Sequence, residues 1–186
     1  MASHVSPIGT FSLRKKMFPL FLTVFLFTLT ALLPGCKHEP DPFVDDGKLN
    51  SGLIGTWKAS GENDYGSWSD TYTIKTAQGS AIGIISHPEG YSWKNATIVH
   101  VFNFNETSGC LIVKYTAGNA VKYSAVYFKN LSDASVLLGD AFGPPPGYLD
   151  PAVDTLDEAI TKFAPENASA YGGGDAQTGT PQIKQP

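Results

Sequence analysis

Beyond residue 16 the sequence has no arginine, and its full length holds only two cysteines and two methionines. Beyond residue 16, with neither arginine nor a cluster of lysines, the chain lacks the basic stripe that follows a phosphate backbone, so no nucleic acid is expected as a partner. Two cysteines, Cys36 and Cys110, make no disulfide framework, and the fold must rest on hydrophobic burial. Neither HExxH nor CxxC occurs, nor a G-x-S-x-G elbow, a P-loop or a Rossmann glycine pattern after a strand. No metal and no cofactor are therefore expected.

The remaining polar chemistry is scattered. His38 stands beside Glu39, and His87 precedes Pro88 at a strand end. His100 shares the alternation face of Ile98 and Phe102, as an interior hydrogen-bonded histidine would. Asp64, Asp70, Glu89 and Glu106 fall in turns or at strand edges, where solvated charges are the plain reading. A converging acid and base pair is the alternative. No catalytic residue is assigned, and the expectation is a protein that is not an enzyme.

What is present begins with Arg14, Lys15 and Lys16, followed by an uncharged apolar run from Met17 to Leu33. A positive stretch, an apolar stretch and small residues after it describe a secretory signal over residues 1–35. A permanent membrane helix is the alternative. Pro34-Gly35 and the polar KHEPDPFVDDGK that follows oppose it. Leu33-Pro34-Gly35-Cys36 resembles the lipobox of bacterial lipoproteins, with Pro34 in place of the commoner Ser, Ala or Thr. The resemblance implies cleavage between Gly35 and Cys36, a diacylglyceryl group on the Cys36 thiol and acylation of the new amine. It also implies export, and anchoring to a membrane of the cell envelope through those chains. Each buried CH₂ contributes about 0.8 kcal/mol, so two or three chains hold stably where one does not.

Without residues 1–35 the balance is ten lysines against 17 Asp and Glu, a net charge of about −7. Such a chain has no electrostatic attraction to anionic lipid. Cys110 lies in the apolar GCLIVKY and reads as a buried small hydrophobe, with a catalytic thiol as the alternative.

Residues 36–51 read as a tether, rich in Pro and Asp. From residue 52 short apolar or alternating runs predict strands near 53–60, 68–76, 81–87, 96–105, 109–116, 121–130 and 134–140. Tyr72 and Ile74 share one face, as do Leu111, Val113 and Tyr115, while Ile98, Phe102 and Phe104 oppose Val99 and Val101. In VDTLDEAITKF, Leu156, Ala159, Ile160 and Phe163 make an apolar stripe, and Thr155 with Glu158 a capping box, predicting a helix over 154–164. The Pro-rich 143–151 reads as a stiff connector, and 165–186 as a disordered tail. Together these predict an all-β domain over 52–164, a small antiparallel up-and-down barrel of about seven or eight strands with one C-terminal amphipathic helix. An open β-sandwich is the alternative.

GLIGTWKAS resembles the Gly-X-Trp opening of the lipocalin-like and avidin-like (calycin) barrels, and DTYTIKTAQGSAIGII their second and third strands. That resemblance implies a barrel end closed by Gly55 and Trp57. Lipocalins also pack an arginine on this tryptophan, and this segment has none. From GLIGTW through SAVYFKNLSDASV to TLDEAITKF the chain is similar to small lipoproteins of treponemal spirochaetes. This implies fold and anchoring, without an activity.

Tyr65, Trp68, Tyr72, Tyr91 and Trp93 cluster in or near two Gly/Ser-rich segments, SGENDYGSWSD and SHPEGYSWKN. Aromatics among Ser, Gly and Asn make contact surfaces at low entropy cost, so these five are the candidate contacts for a ligand or partner. Capping of the core is the plainer alternative. The leading expectation is a protein-interaction or adhesion module. The competing one is a carrier of a small apolar or aromatic ligand. Bulky inward residues (Tyr72, Ile74, Phe102, Phe104, Leu111, Val113 and Tyr115) would fill the interior and favour the first.

Overall fold

The computed structural model describes residues 46–90, 92–143, 151–172 and 179–186. The signal segment, Cys36, most of the tether, Tyr91 and most of the Pro-rich connector lie outside the described residues. Among those described, no helix is long and apolar enough to cross a membrane.

Period-two alternation broken by turn residues produces eight strands. They are β1 (Gly55–Asn63), β2 (Gly66–Thr76), β3 (Gly83–Ser86), β4 (Asn95–Asn105), β5 (Ser108–Ala117), β6 (Ala120–Lys129), β7 (Ser135–Asp140) and β8 (Gln182–Lys184). Each pairs antiparallel with the next, and β8 returns to β1, so one ring-like sheet closes on itself. The short β8 covers part of each edge, pairing with Trp57 and Lys58 of β1 and with Ser135 and Val136 of β7. A single closed sheet replaces the open sandwich of the alternative expectation.

The inward face carries the core: Trp57, Ile74, Ile98, Leu111, Val126 and Leu138 are buried to the last atom or nearly so. Each such side chain contributes roughly 1.5–3 kcal/mol by leaving water. Tyr72, Ile74, Leu111, Val113 and Tyr115 lie in this cluster as their alternation requires. Phe102 and Phe104 do not. A register shift between Ile98 and His100 puts an extra residue into β4, so Ile98 and Val101 both join the interior cluster. Val99, Phe102 and Phe104 pack instead in a second cluster on the opposite face, and His100 lies edge-on to Phe102, 4.5 Å between ring centroids. The bulge reverses the phase that strict alternation assigns.

That second cluster is the outer face of β5 and β6, with Cys110, Ile112, Ala125 and Tyr127. Helix α1 (Leu156–Lys162) covers it with Ala159 and Phe163, both fully buried. Thr155 caps α1 as the sequence indicates, its hydroxyl oxygen accepting from the Glu158 amide at 3.3 Å. Chain pairing of Tyr123 with Val153 steers the helix onto the sheet. Cys110 is free and fully buried, and burial pushes its thiol well above the ordinary range, which removes it as a nucleophile.

The segment read as a tail contributes structure. A short helix α2 (Ala168–Tyr171) packs Tyr171 on Phe163, and β8 closes the ring. The pattern of β8 is inverted, with Gln182 buried and Ile183 half-exposed, so no apolar alternation announces it. The tether's last residues also dock. Asn50 donates to the Glu106 carbonyl at 3.0 Å, and Asn103 donates to the Lys48 carbonyl at 3.0 Å.

At the end where β1 begins, Trp57 is fully buried and its indole N–H donates to the Leu53 carbonyl at 2.8 Å. The Lys184 ammonium sits 5.0 Å from the Trp57 ring centroid and donates to the Gly52 carbonyl at 3.3 Å. Gly55, at φ 141°, lets that side chain lie close: a Cβ there would be 3.0 Å from Lys184 Cε. A lysine from the last strand therefore covers the face of this tryptophan.

Candidate binding site at the His87 end of the ring

The opposite end is polar. Along β2 the inward series Trp68, Asp70, Tyr72, Ile74 changes from apolar to charged as it nears this end. Two residues beyond Ile85, the same phase delivers His87, and two beyond Leu138 it delivers Asp140. These side chains converge around a cavity of about 490 Å³, lined also by Glu89, Phe142 and Gln182.

His87 is the centre. It is 7% exposed, stacked on Tyr72 at 4.0 Å between centroids and met edge-on by Trp93 at 5.7 Å. Its Nε2 lies 2.6 Å from Asp70 Oδ1, and its Nδ1 3.4 Å from Asp140 Oδ2. The short contact carries a hydrogen bond, and across the longer one Nδ1 faces Asp140 as an ion pair when the ring is protonated. Burial alone would lower the imidazole pKa, but Asp140 and Asp70 outweigh it and push it up to about 9. At neutral pH the centre is therefore an imidazolium between two carboxylates.

Each aspartate is held by a further group. Tyr72 donates its hydroxyl to Asp140 Oδ1 at 3.2 Å, and Gln182 donates Nε2 to Asp70 Oδ2 at 2.9 Å. Gln182 also bonds the Leu138 backbone in both directions, at 2.8 and 3.1 Å, so the closing strand is tied to the site. Glu89 stands at the rim, accepting from the Thr71 amide at 3.2 Å, the Thr71 hydroxyl at 3.1 Å and the Ser69 hydroxyl at 3.3 Å. Gly90 is required by close approach, since a Cβ would lie 2.4 Å from the Trp93 carbonyl oxygen and 2.7 Å from His87 Nδ1.

Asp70, His87 and Glu89 each place one ligand atom within 4.8 Å of the others, the one such group among the described residues. A cation reaching Nε2 there would have to break the His87–Asp70 contact and displace a proton.

Of the five aromatic contacts expected, Trp68 and Tyr72 line the cavity. Trp93 is 5% exposed and belongs to the core wall behind His87, and Tyr65 is 99% exposed on the β1–β2 hairpin. Tyr91 lies outside the described residues. Sequence reasoning placed Asp70, His87 and Glu89 in turns or at strand edges, and it passed over Asp140 and Gln182. The available signal was phase: Asp70, His87 and Asp140 each continue an inward apolar series by two residues. The chain matches no protein-family model, no curated protein and no solved structure.

Proposed function

We propose that this chain is a lipid-anchored protein of the bacterial cell envelope that carries a small ligand at the His87 end of a lipocalin-like barrel. The observation that carries the reading is the cavity of about 490 Å³ at the His87 end of the ring, where aromatic and polar side chains converge, a volume within the range of small-molecule sites. The up-and-down strand order and the Lys184 ammonium over Trp57 support the lipocalin-like comparison. The lipobox at Leu33–Cys36 supports the anchor. A binding role suits the chemistry better than catalysis, because an imidazolium facing carboxylates at both nitrogens is no general base at neutral pH.

A protein-interaction role is the second reading, favoured by Tyr65, 99% exposed on the hairpin beside the cavity. Native mass spectrometry of the full chain, purified gently from its own cells, separates the two. A reproducible extra mass lost on denaturation is expected. A clean apo mass would overturn the carrier reading and leave the Tyr65 surface as the binding element. For the anchor, Cys36→Ser should move the protein from the detergent phase to the aqueous phase, and unchanged partitioning would refute it.

A further inference from the structure

We infer that the cavity at the His87 end takes a small organic cation, an ammonium group on an apolar or aromatic body, with Glu89 as its counter-ion. The inference rests on the carrier reading and names its ligand class. Asp70, Glu89 and Asp140 all line the cavity, and none of its described lining residues is Lys or Arg. Each ionised carboxylate offers about four acceptor sites and no donor. Among the described residues, the donors that reach these carboxylates come from His87, Gln182, Tyr72, Ser69 and Thr71. They leave acceptor capacity unfilled. An ammonium supplies donors and positive charge together, whereas an anionic ligand would meet like charge.

Among the described residues Glu89 has no cation partner. His87 lies between Asp70 and Asp140 and offsets part of their charge, while the described donors that hold Glu89 at the rim are neutral. Those donors fix its carboxylate before any ligand arrives, which lowers the cost of binding. The aromatic wall fits the same ligand: Trp68, Tyr72 and the 43% exposed Phe142 present surfaces that attract a cation and cover an apolar body. An organic ammonium leaves the 2.6 Å His87–Asp70 contact in place, whereas a bare metal ion ligated by Nε2 would have to break it.

The test is calorimetric titration of the full chain in detergent with 2-phenylethylammonium, 2-phenylethanol, 3-phenylpropanoate and zinc ion alone, repeated on Glu89→Gln. The ammonium should bind at least about tenfold more tightly than the alcohol, and Glu89→Gln should remove about that factor. Alcohol affinity should stay unchanged, showing the cavity intact. Equal or tighter binding of the alcohol or carboxylate would overturn the cation inference and leave the carrier reading standing. Zinc binding that excludes the ammonium would overturn it in favour of a metal site. Failure of all four probes would overturn it too; with a clean apo mass as well, the carrier reading falls with it.

Discussion

At the end of the ring where β1 begins, an aromatic ring is covered by groups the chain itself supplies. Trp57 donates to Leu53, the Lys184 ammonium lies 5.0 Å from its ring centroid, and no carboxylate among the described residues takes part. At the other end Trp68, Tyr72 and Phe142 stand beside Asp70, Glu89 and Asp140 around open volume, and the cation present, His87, is committed to the two aspartates. Both ends use aromatic rings and a positive charge. One end carries its cation on the last strand; the other holds aromatic surface and negative charge in excess. The difference explains why one end is a plug and the other a pocket. It also shows β8 serving both, since Gln182 bonds Asp70 and Lys184, two residues later, covers Trp57.

The contrast breaks most severely at the plug. Trp57→Ala would leave a large void and an unpaired Leu53 carbonyl, and should destabilise the fold by about 3–5 kcal/mol in urea unfolding. A loss under 1 kcal/mol would mean that this end is not packed as described. Next is the pH dependence of the pocket end. The His87 pKa is raised from 6.5 to about 9 in the folded state, so its contribution is fully present below pH 6.5 and is lost as pH rises through 9. The span corresponds to roughly 3 kcal/mol at 1.36 kcal/mol per unit. His87→Gln should flatten the stability profile between pH 6.5 and 9, and an unchanged slope would contradict the paired imidazolium. The smallest effect belongs to Lys184→Met, which keeps the apolar stem and removes the charge from Trp57. It should cost about 0.5–2 kcal/mol and leave ligand affinity at the His87 end unchanged.

Much of this architecture is legible in the chain. Alternation locates seven of the eight strands, and the stripe and capping box locate α1. β8 is not legible, because Gln182 and Lys184 do their work through polar contacts while the apolar Ile183 faces outward, so hydropathy reads it backwards. The facing of Phe102 and Phe104 is lost for another reason: a single bulge changes the phase of half of β4, and no residue type marks it. The site was half visible. Trp68 and Tyr72 stand out as aromatics, whereas Asp70, His87 and Asp140 look like strand-end polarity until the ring closes. Their convergence depends on strands far apart in sequence becoming neighbours, which no local pattern encodes.

The most direct measurement is a nuclear magnetic resonance titration of the full chain in detergent with 2-phenylethylammonium, following amide and indole signals. The expected shifts are at the Thr71 amide, which donates to Glu89, at the Trp68 indole and at the Gln182 side-chain amide, with the Trp57 indole unmoved. Shifts at Trp57, or none at the His87 end, would contradict the division of the ring into a self-covered plug and a cation-seeking pocket.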